Sequence, residues 1–516
     1  MALPANGQYA YTYDGLKRLT TRSLSLNGNG FLTKGYTYVP GAGTNSTTML
    51  VGGLTNKKGN TTLNSYTYTY DNVGNITAIG GTTPATYTYD SHGQMLTETV
   101  NGVTYTYTYD TYGNIRSVSD GVNTYTYTYG DSNWKDLLTA YCGQSITYDQ
   151  IGNPTHWYNG NNFTWVNGRR LATITASSGG TVASYTYDVD GLRQTKTVGG
   201  VEHRYVWQGN KLVSEYWDGK ELEFFYDESG MPYAISYKSS SSATPVFYYY
   251  VTNLQGDVVK ILTASGSVVA NYSYNAWGKL LSSSGTMASV NPIRYRGYYF
   301  DTETGFYYLV SRYYDPQICR FVNADRFAST GQSLIGCNMF AYCFNYPTRS
   351  IDNLGLVPDD VLFKNAELYA SGANILMCGY AYNRKNDITY KLNNALEKNS
   401  TYLEEQNYIS AFVTFIKKVR PGGNWDFKAQ DDWNLSRDEK YYYNGKELRF
   451  DDIGNIHYGY VGRVVAPKKM LLIAAGIVQV LSFTSNWDYS DSYYDDPHDQ
   501  EAILYGIELW EERMVK

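Results

Sequence analysis

Along the first 290 residues, apolar and polar positions alternate in short runs written largely in two letters. Residues 66–70 and 105–109 both read Tyr-Thr-Tyr-Thr-Tyr. A period of two turns successive side chains to opposite faces of a strand. Each run therefore predicts a β-strand with one aromatic face and one Thr face. The runs end in the same punctuation: Tyr70-Asp71-Asn-Val-Gly74-Asn-Ile76, Tyr89-Asp90-Ser-His-Gly93 and Tyr109-Asp110-Thr-Tyr-Gly113-Asn-Ile115. Asp closes a turn on its own backbone and Gly accepts a positive φ. A second short strand follows each turn, as at residues 76–79. Looser copies end in Asp14, Asp149, Asp188, Asp227 and Asn275. One such hairpin cannot bury its aromatic face alone, so neighbours must stack into a long, quasi-one-dimensional sheet.

After residue 357 the period changes. Leu392, Leu396, Leu403, Ile409, Phe412 and Ile416 recur at helical spacing over two predicted helices. Residues 468–483 and 499–512 read as two more, with Pro497 and Asp499 suited to a helix start. The Gly-bearing segments between them read as polar connections. No run of 18 apolar residues occurs, so no membrane-spanning helix is predicted. Residues 1–7 have neither a basic nor an apolar region and do not read as a signal peptide.

Composition sharpens the division. Of 56 tyrosines, 15 lie from Val357 onward. The same tail holds 18 basic and 24 acidic residues, so it carries the whole net charge of −6. An acidic tail lacks the general electrostatic footprint of a nucleic-acid binder. The five cysteines are odd in number and never spaced C-x-x-C, which argues against a disulfide framework or a zinc site.

The Tyr-x-Tyr-Asp-x-x-Gly unit resembles the YD repeat of Rhs and teneurin proteins, over roughly residues 9–290. The resemblance implies a β strip that spirals into a shell. Shells of that family are longer, which leaves open whether the strip closes a shell alone, lacks upstream sequence or is completed by a partner. A tyrosine face also suits sugars, which leaves carbohydrate contact by the repeats, or an adhesion role with a non-catalytic cap, as a different expectation.

The next segment reads Arg294-Tyr-Arg296-Gly297, then Gly305-Phe-Tyr-Tyr308-Leu-Val-Ser-Arg312-Tyr-Tyr-Asp315-Pro316, Arg320-Phe321-Val-Asn-Ala-Asp325 and Ile351-Asp352-Asn-Leu-Gly355-Leu356. It resembles the Rhs repeat-associated core domain. The resemblance implies aspartyl self-cleavage after Leu356, by Asp325 and Asp352 with help from Arg320. Two carboxylates sharing a site separate into an acid and a base. Three positions depart from the pattern: Arg326 and Asn353 stand where Pro is usual, and Cys319 where Gly is usual.

In the tail, Trp425-Asp426-Phe427-Lys428, Gly454-Asn455-Ile-His457-Tyr458-Gly459-Tyr-Val-Gly462-Arg463 and Asp496-Pro497-His498-Asp499-Gln500 resemble the polymorphic toxin type 44 domain, whose implied activity is ribonuclease. RNA cleavage through the 2′-hydroxyl needs a base, an acid and cations. His457, Lys428 and Arg463 fit those needs, with Asp426 or Asp499 as orienting group or base. A metal-dependent DNase is the rival, with Asp426, Asp496 and Asp499 as ligands of a divalent cation. Judged from its neighbours alone, His457 is a hydrogen-bonding residue of a Gly-rich turn, and His498 is a surface residue.

The expected architecture is thus a mostly β N-terminal part, with repeats over 1–290 and a core domain over 291–356, followed by a mainly α or α+β toxin domain over 357–516. No cofactor is expected. The family implies a cognate immunity protein, an RNA substrate, delivery machinery, secretion or surface delivery for interbacterial competition, and action in the cytoplasm of a target cell.

Overall fold

The computed structural model describes residues 7–43, 46–227, 229–326, 337–356 and 359–360, isolated positions between 392 and 449, and residues 452–466, 468, 471–472 and 497–515. The chain divides into two compact units, Met1–Gly379 and Tyr380–Lys516.

In the first unit the alternating runs are strands. They follow one another antiparallel in sequence order, as a 13-stranded sheet from Gln8–Tyr13 to Gln144–Ser145 and a 14-stranded sheet from Thr147–Tyr148 to Leu280–Ser284. Tyr66, Tyr68, Tyr87, Tyr107, Tyr127, Tyr185 and Tyr205 are buried. The Thr face is exposed, and its hydroxyls pair across strands, as in Thr88 with Thr97 and Thr186 with Thr195. The aromatic faces are thus spent on packing.

The turns are built as their sequence predicts. Asp71 Oδ1 accepts from the backbone N–H groups of Val73 and Asn75, and Gly74 adopts a φ of 85°. Asp90 and Asp110 repeat the arrangement. The sequence pattern did not announce what the last Tyr of each run does. The pairing slips at that Tyr, and its hydroxyl donates to the carbonyl of the apolar residue after the preceding turn: Tyr89 to Ile76, Tyr109 to Met95, Tyr129 to Ile115. One repeat is thereby pinned to the one before it.

The strip folds back on itself. Leu24, Leu26 and Phe31 of the early strands pack on Tyr233, Tyr249, Val251 and Leu262 of late ones. Arg22 pairs with Asp227 at 2.6 Å. Residues 291–356 pack on both aromatic faces and share one continuous core with them. They add a four-stranded sheet, Tyr299–Asp301, Phe306–Tyr308, Tyr313–Asp315 and Arg320–Phe321. Buried polar contacts fix this segment to the repeats. Asp301 receives Arg193 at 2.7 Å and Lys196 at 2.8 Å, and Asn345 donates to Gln94 and to the Gly113 carbonyl.

In the second unit, Leu392, Leu396 and Leu403 of the expected stripe are buried helical positions, whereas Ile409, Phe412 and Ile416 lie outside the described residues. Two helices are well defined: α1 (Asp452–Gly462) and α2 (Pro497–Val515). The second starts at Pro497 with Asp499 in its first turn, as expected. The first is a correction: the Gly-bearing segment around His457 is a buried helix, not a polar turn. Its glycines serve contact between helices. A Cβ on Gly459 would strike the Ile503 carbonyl, and one on Gly506 would strike the Ile456 carbonyl. The two backbones therefore touch where they cross, which only glycine permits.

Candidate active sites

Three elements assemble a buried carboxylate pair at the end of the first unit. The strand Tyr313–Asp315 is entered through Arg312, the turn after Phe321 leads to Asp325, and the strand Ser350–Ile351 runs into Asp352. Arg312 Nη2 lies 3.0 Å from Asp325 Oδ2 and 3.2 Å from Asp352 Oδ2. Its guanidinium lies over the Phe321 ring, 3.5 Å from the centroid. All three charged groups are buried. Two carboxylates and one cation in so dry a place are strongly coupled. Burial pushes the Asp352 carboxyl above the usual carboxylate range, against the pull of Arg312. Burial also lowers the Arg312 pKa, against the pull of both aspartates.

The same groups hold the expected cleavage segment. Asp352 Oδ1 accepts the Leu356 N–H at 2.9 Å. Arg312 Nε donates to the Gly355 carbonyl at 2.5 Å, and Ser311 Oγ lies 2.6 Å from the carbonyls of Leu354 and Gly355. Gly355 has a φ of 70°, and a Cβ there would meet Ser311, Leu309 and Arg312. Past this turn, Asp359–Asp360 pairs antiparallel with Ser350–Ile351. Leu356 follows the first of these two paired strands, while Val357 lies outside the described residues.

Arg320 is not in this cluster. It donates to the Tyr129 hydroxyl at 2.7 Å and to the Asp136 carbonyl at 2.6 Å. Arg312 occupies the bridging position that the sequence reading gave to Arg320. The residue before Arg320, Cys319, adopts a φ of 57°, which explains why Gly is usual there.

In the second unit, Asp426, Lys428 and Asp496 lie outside the described residues, as does the side chain of His498. The three remaining candidates fall in three places. His457 is 1% exposed; its Nε2 lies 2.9 Å from Asn399 Nδ2, and burial pushes its pKa down to about 3. Asp499 Oδ1 accepts from Asn455 Nδ2 at 2.8 Å and lies 3.7 Å from Arg449. Arg463 donates to the Ala466 carbonyl at 2.9 Å and pairs with Glu511 at 3.3 Å. Asp499 and Glu511 are roughly 18 Å apart along α2 at 1.5 Å per residue, so Arg463 and Asp499 belong to different ends of the helix pair. The polar group that does form is Arg449, Asn455 and Asp499. Arg449 was not anticipated, since it lies outside the three motif segments.

Comparison with known proteins accords with both halves. Residues 217–347 match the teneurin YD-shell family, and residues 414–512 match the bacterial toxin 44 family. Residues 217–347 are thus similar to a YD shell, and residues 414–512 to bacterial toxin 44. Among curated relatives, the tRNA3(Ser)-specific nuclease WapA of Bacillus spizizenii is 33% identical over 43% of this chain and 9% of its own length. The double-stranded DNA deaminase toxin A of Burkholderia cenocepacia is 28% identical over 43% of this chain and 17% of its own. The chain thus spans only a small fraction of the length of these relatives. Among solved structures, a Photorhabdus luminescens Tc holotoxin pore superposes with a TM-score of 0.54 at 18% identity, over 72% of this chain and 21% of that one, a likeness of fold.

Proposed function

We propose that this chain belongs to an Rhs-type polymorphic toxin that cuts itself after Leu356 and releases a nuclease tail. The hydrogen bond from Leu356 N–H to Asp352, beside the shared Arg312, carries the self-cleavage reading. In that reading water attacks the Leu356 carbonyl carbon. One carboxylate takes a proton from the water as its oxygen bonds to carbon; the other gives a proton to the departing amide nitrogen. The products are a Leu356 carboxylate and a Val357 amine. Asp352, whose burial favours its neutral form, suits the donor, which leaves Asp325 as base. Arg312 orients both and holds the Gly355 carbonyl.

For the tail, relatives named for different chemistries, tRNA cleavage and DNA deamination, each match 43% of this chain. Likeness to these relatives is therefore by itself a poor guide to chemistry. The toxin 44 match supports a toxin tail, and the WapA relatives favour RNA as its substrate; our reading places its action in a bacterial competitor's cytoplasm, with a cognate immunity protein in the producer. Asp499 is our candidate base, oriented by Asn455, with Arg449 as a cation for the phosphate. His457, buried and neutral, is a positioning residue of α1.

The test is expression in a bacterium lacking any immunity gene. Growth arrest with degraded RNA and intact DNA, lost on Asp499→Ala, supports the reading. Unimpaired growth, or degraded DNA with intact RNA, contradicts it.

A further inference from the structure

Where the early strands fold onto the late ones, they enclose a cavity of about 90 Å³. That is room for several waters. Its charged lining residues are Arg22 and Lys34. Arg22 is paired with Asp227. The Lys34 ammonium donates to Thr252 Oγ1 at 2.7 Å and to the Asn253 carbonyl at 3.3 Å, both neutral. Among the described residues no carboxylate lies within ion-pair distance of it. Burial and the neighbouring Arg22 push its pKa down to about 7, opposed by Asp227. Two further groups in the wall are incomplete. The Tyr233 hydroxyl and the Gln255 side-chain oxygen are buried without hydrogen-bond partners. A half-buried ammonium with no carboxylate beside it among the described residues, next to an idle hydroxyl and an idle amide oxygen, is costly to fold unless something completes it.

One class of ligand satisfies all three. A small oxyanion accepts from the ammonium and from the hydroxyl, and the Gln255 amide can turn its NH₂ toward it. A second cation already sits in the wall. We propose that this cavity binds a small oxyanion, a phosphate or a carboxylate, through Lys34 and Tyr233 with Arg22 behind them. The cavity also reaches Ile351 and Asn353, the two neighbours of Asp352, so an occupant touches the segment that carries the carboxylate pair.

The test is calorimetric titration of the full chain with inorganic phosphate and, separately, acetate, against sodium chloride at equal ionic strength. The expected result is saturable one-to-one binding of at least one oxyanion and none of chloride. Which oxyanion binds tells the phosphate class from the carboxylate class. Lys34→Met should weaken binding at least tenfold and Tyr233→Phe severalfold, whereas Lys34→Arg should retain it. If Lys34→Met does not fold, the thermal midpoint of the unaltered chain decides: it should rise with the bound oxyanion and not with chloride. Absence of saturable binding by both oxyanions, or unchanged binding in Lys34→Met, overturns the proposal. Neither result depends on self-cleavage or on toxicity.

Discussion

The backbone N–H of Leu356 donates to Asp352 Oδ1 at 2.9 Å, while the other oxygen of that carboxylate receives Arg312 at 3.2 Å. One side chain therefore both holds the segment to be cut and belongs to the group that would cut it. Asp352→Asn and Asp325→Asn should each abolish cleavage, and Arg312→Gln should slow it at least a hundredfold. Arg320→Gln should leave the cut intact, because Arg320 serves Tyr129 and Asp136 instead. Gel analysis of freshly purified variants separates the two arginines. Cleavage lost in Arg320→Gln and kept in Arg312→Gln would reverse the assignment.

Glu98 predicts a pH dependence of the body. Burial pushes its carboxyl up from 4.5 to about 8, although the Ala276 N–H at 2.6 Å favours the charged form. The folded chain thus holds the proton more tightly than the unfolded one. The stabilisation is complete below about pH 4.5 and is lost as pH rises through about 8. A shift of that size corresponds to about 5 kcal/mol over the window. Thermal unfolding at a series of pH values checks it: the midpoint should fall toward pH 8 in the unaltered protein and fall much less in Glu98→Gln. Parallel curves would sink the assignment.

The repeat predicts that the last tyrosine of each run contributes through its hydroxyl. Tyr109→Phe should cost about 1 kcal/mol, the net value of one hydrogen bond. Tyr112→Phe, at a half-exposed turn position, should cost nothing measurable. Urea unfolding of both variants makes the comparison.

The helix crossing in the tail makes Gly459→Ala and Gly506→Ala severe. Each adds a methyl where a backbone carbonyl already stands, and overpacking of this kind costs on the order of 1–3 kcal/mol or more. Hydrogen exchange over α1 and α2 should accelerate in both variants. Unchanged protection would mean that the backbones do not meet there.

Much of this was legible beforehand. Alternation of Tyr and Thr fixed the strands, and Asp-x-x-Gly fixed the turns, because both signals are local. Arg312 was not singled out because the family resemblance placed the helping arginine, by motif position, at Arg320; only the fold carries Arg312 back to both aspartates. The helix around His457 was missed for a related reason. Gly454, Gly459 and Gly462 read as turn formers, but Gly459 is a contact surface for α2, and Gly462 lies against Leu471 and Phe415. Ile453, Ile456, His457 and Tyr460, all buried, are at helical spacing and held the signal that the glycines masked.

Intact-mass analysis of the purified, unaltered protein tests the central claim most directly. Two species are predicted, divided between Leu356 and Val357, with Val357 as the new amino terminus of the smaller. A single uncut species of 58.2 kDa would contradict it.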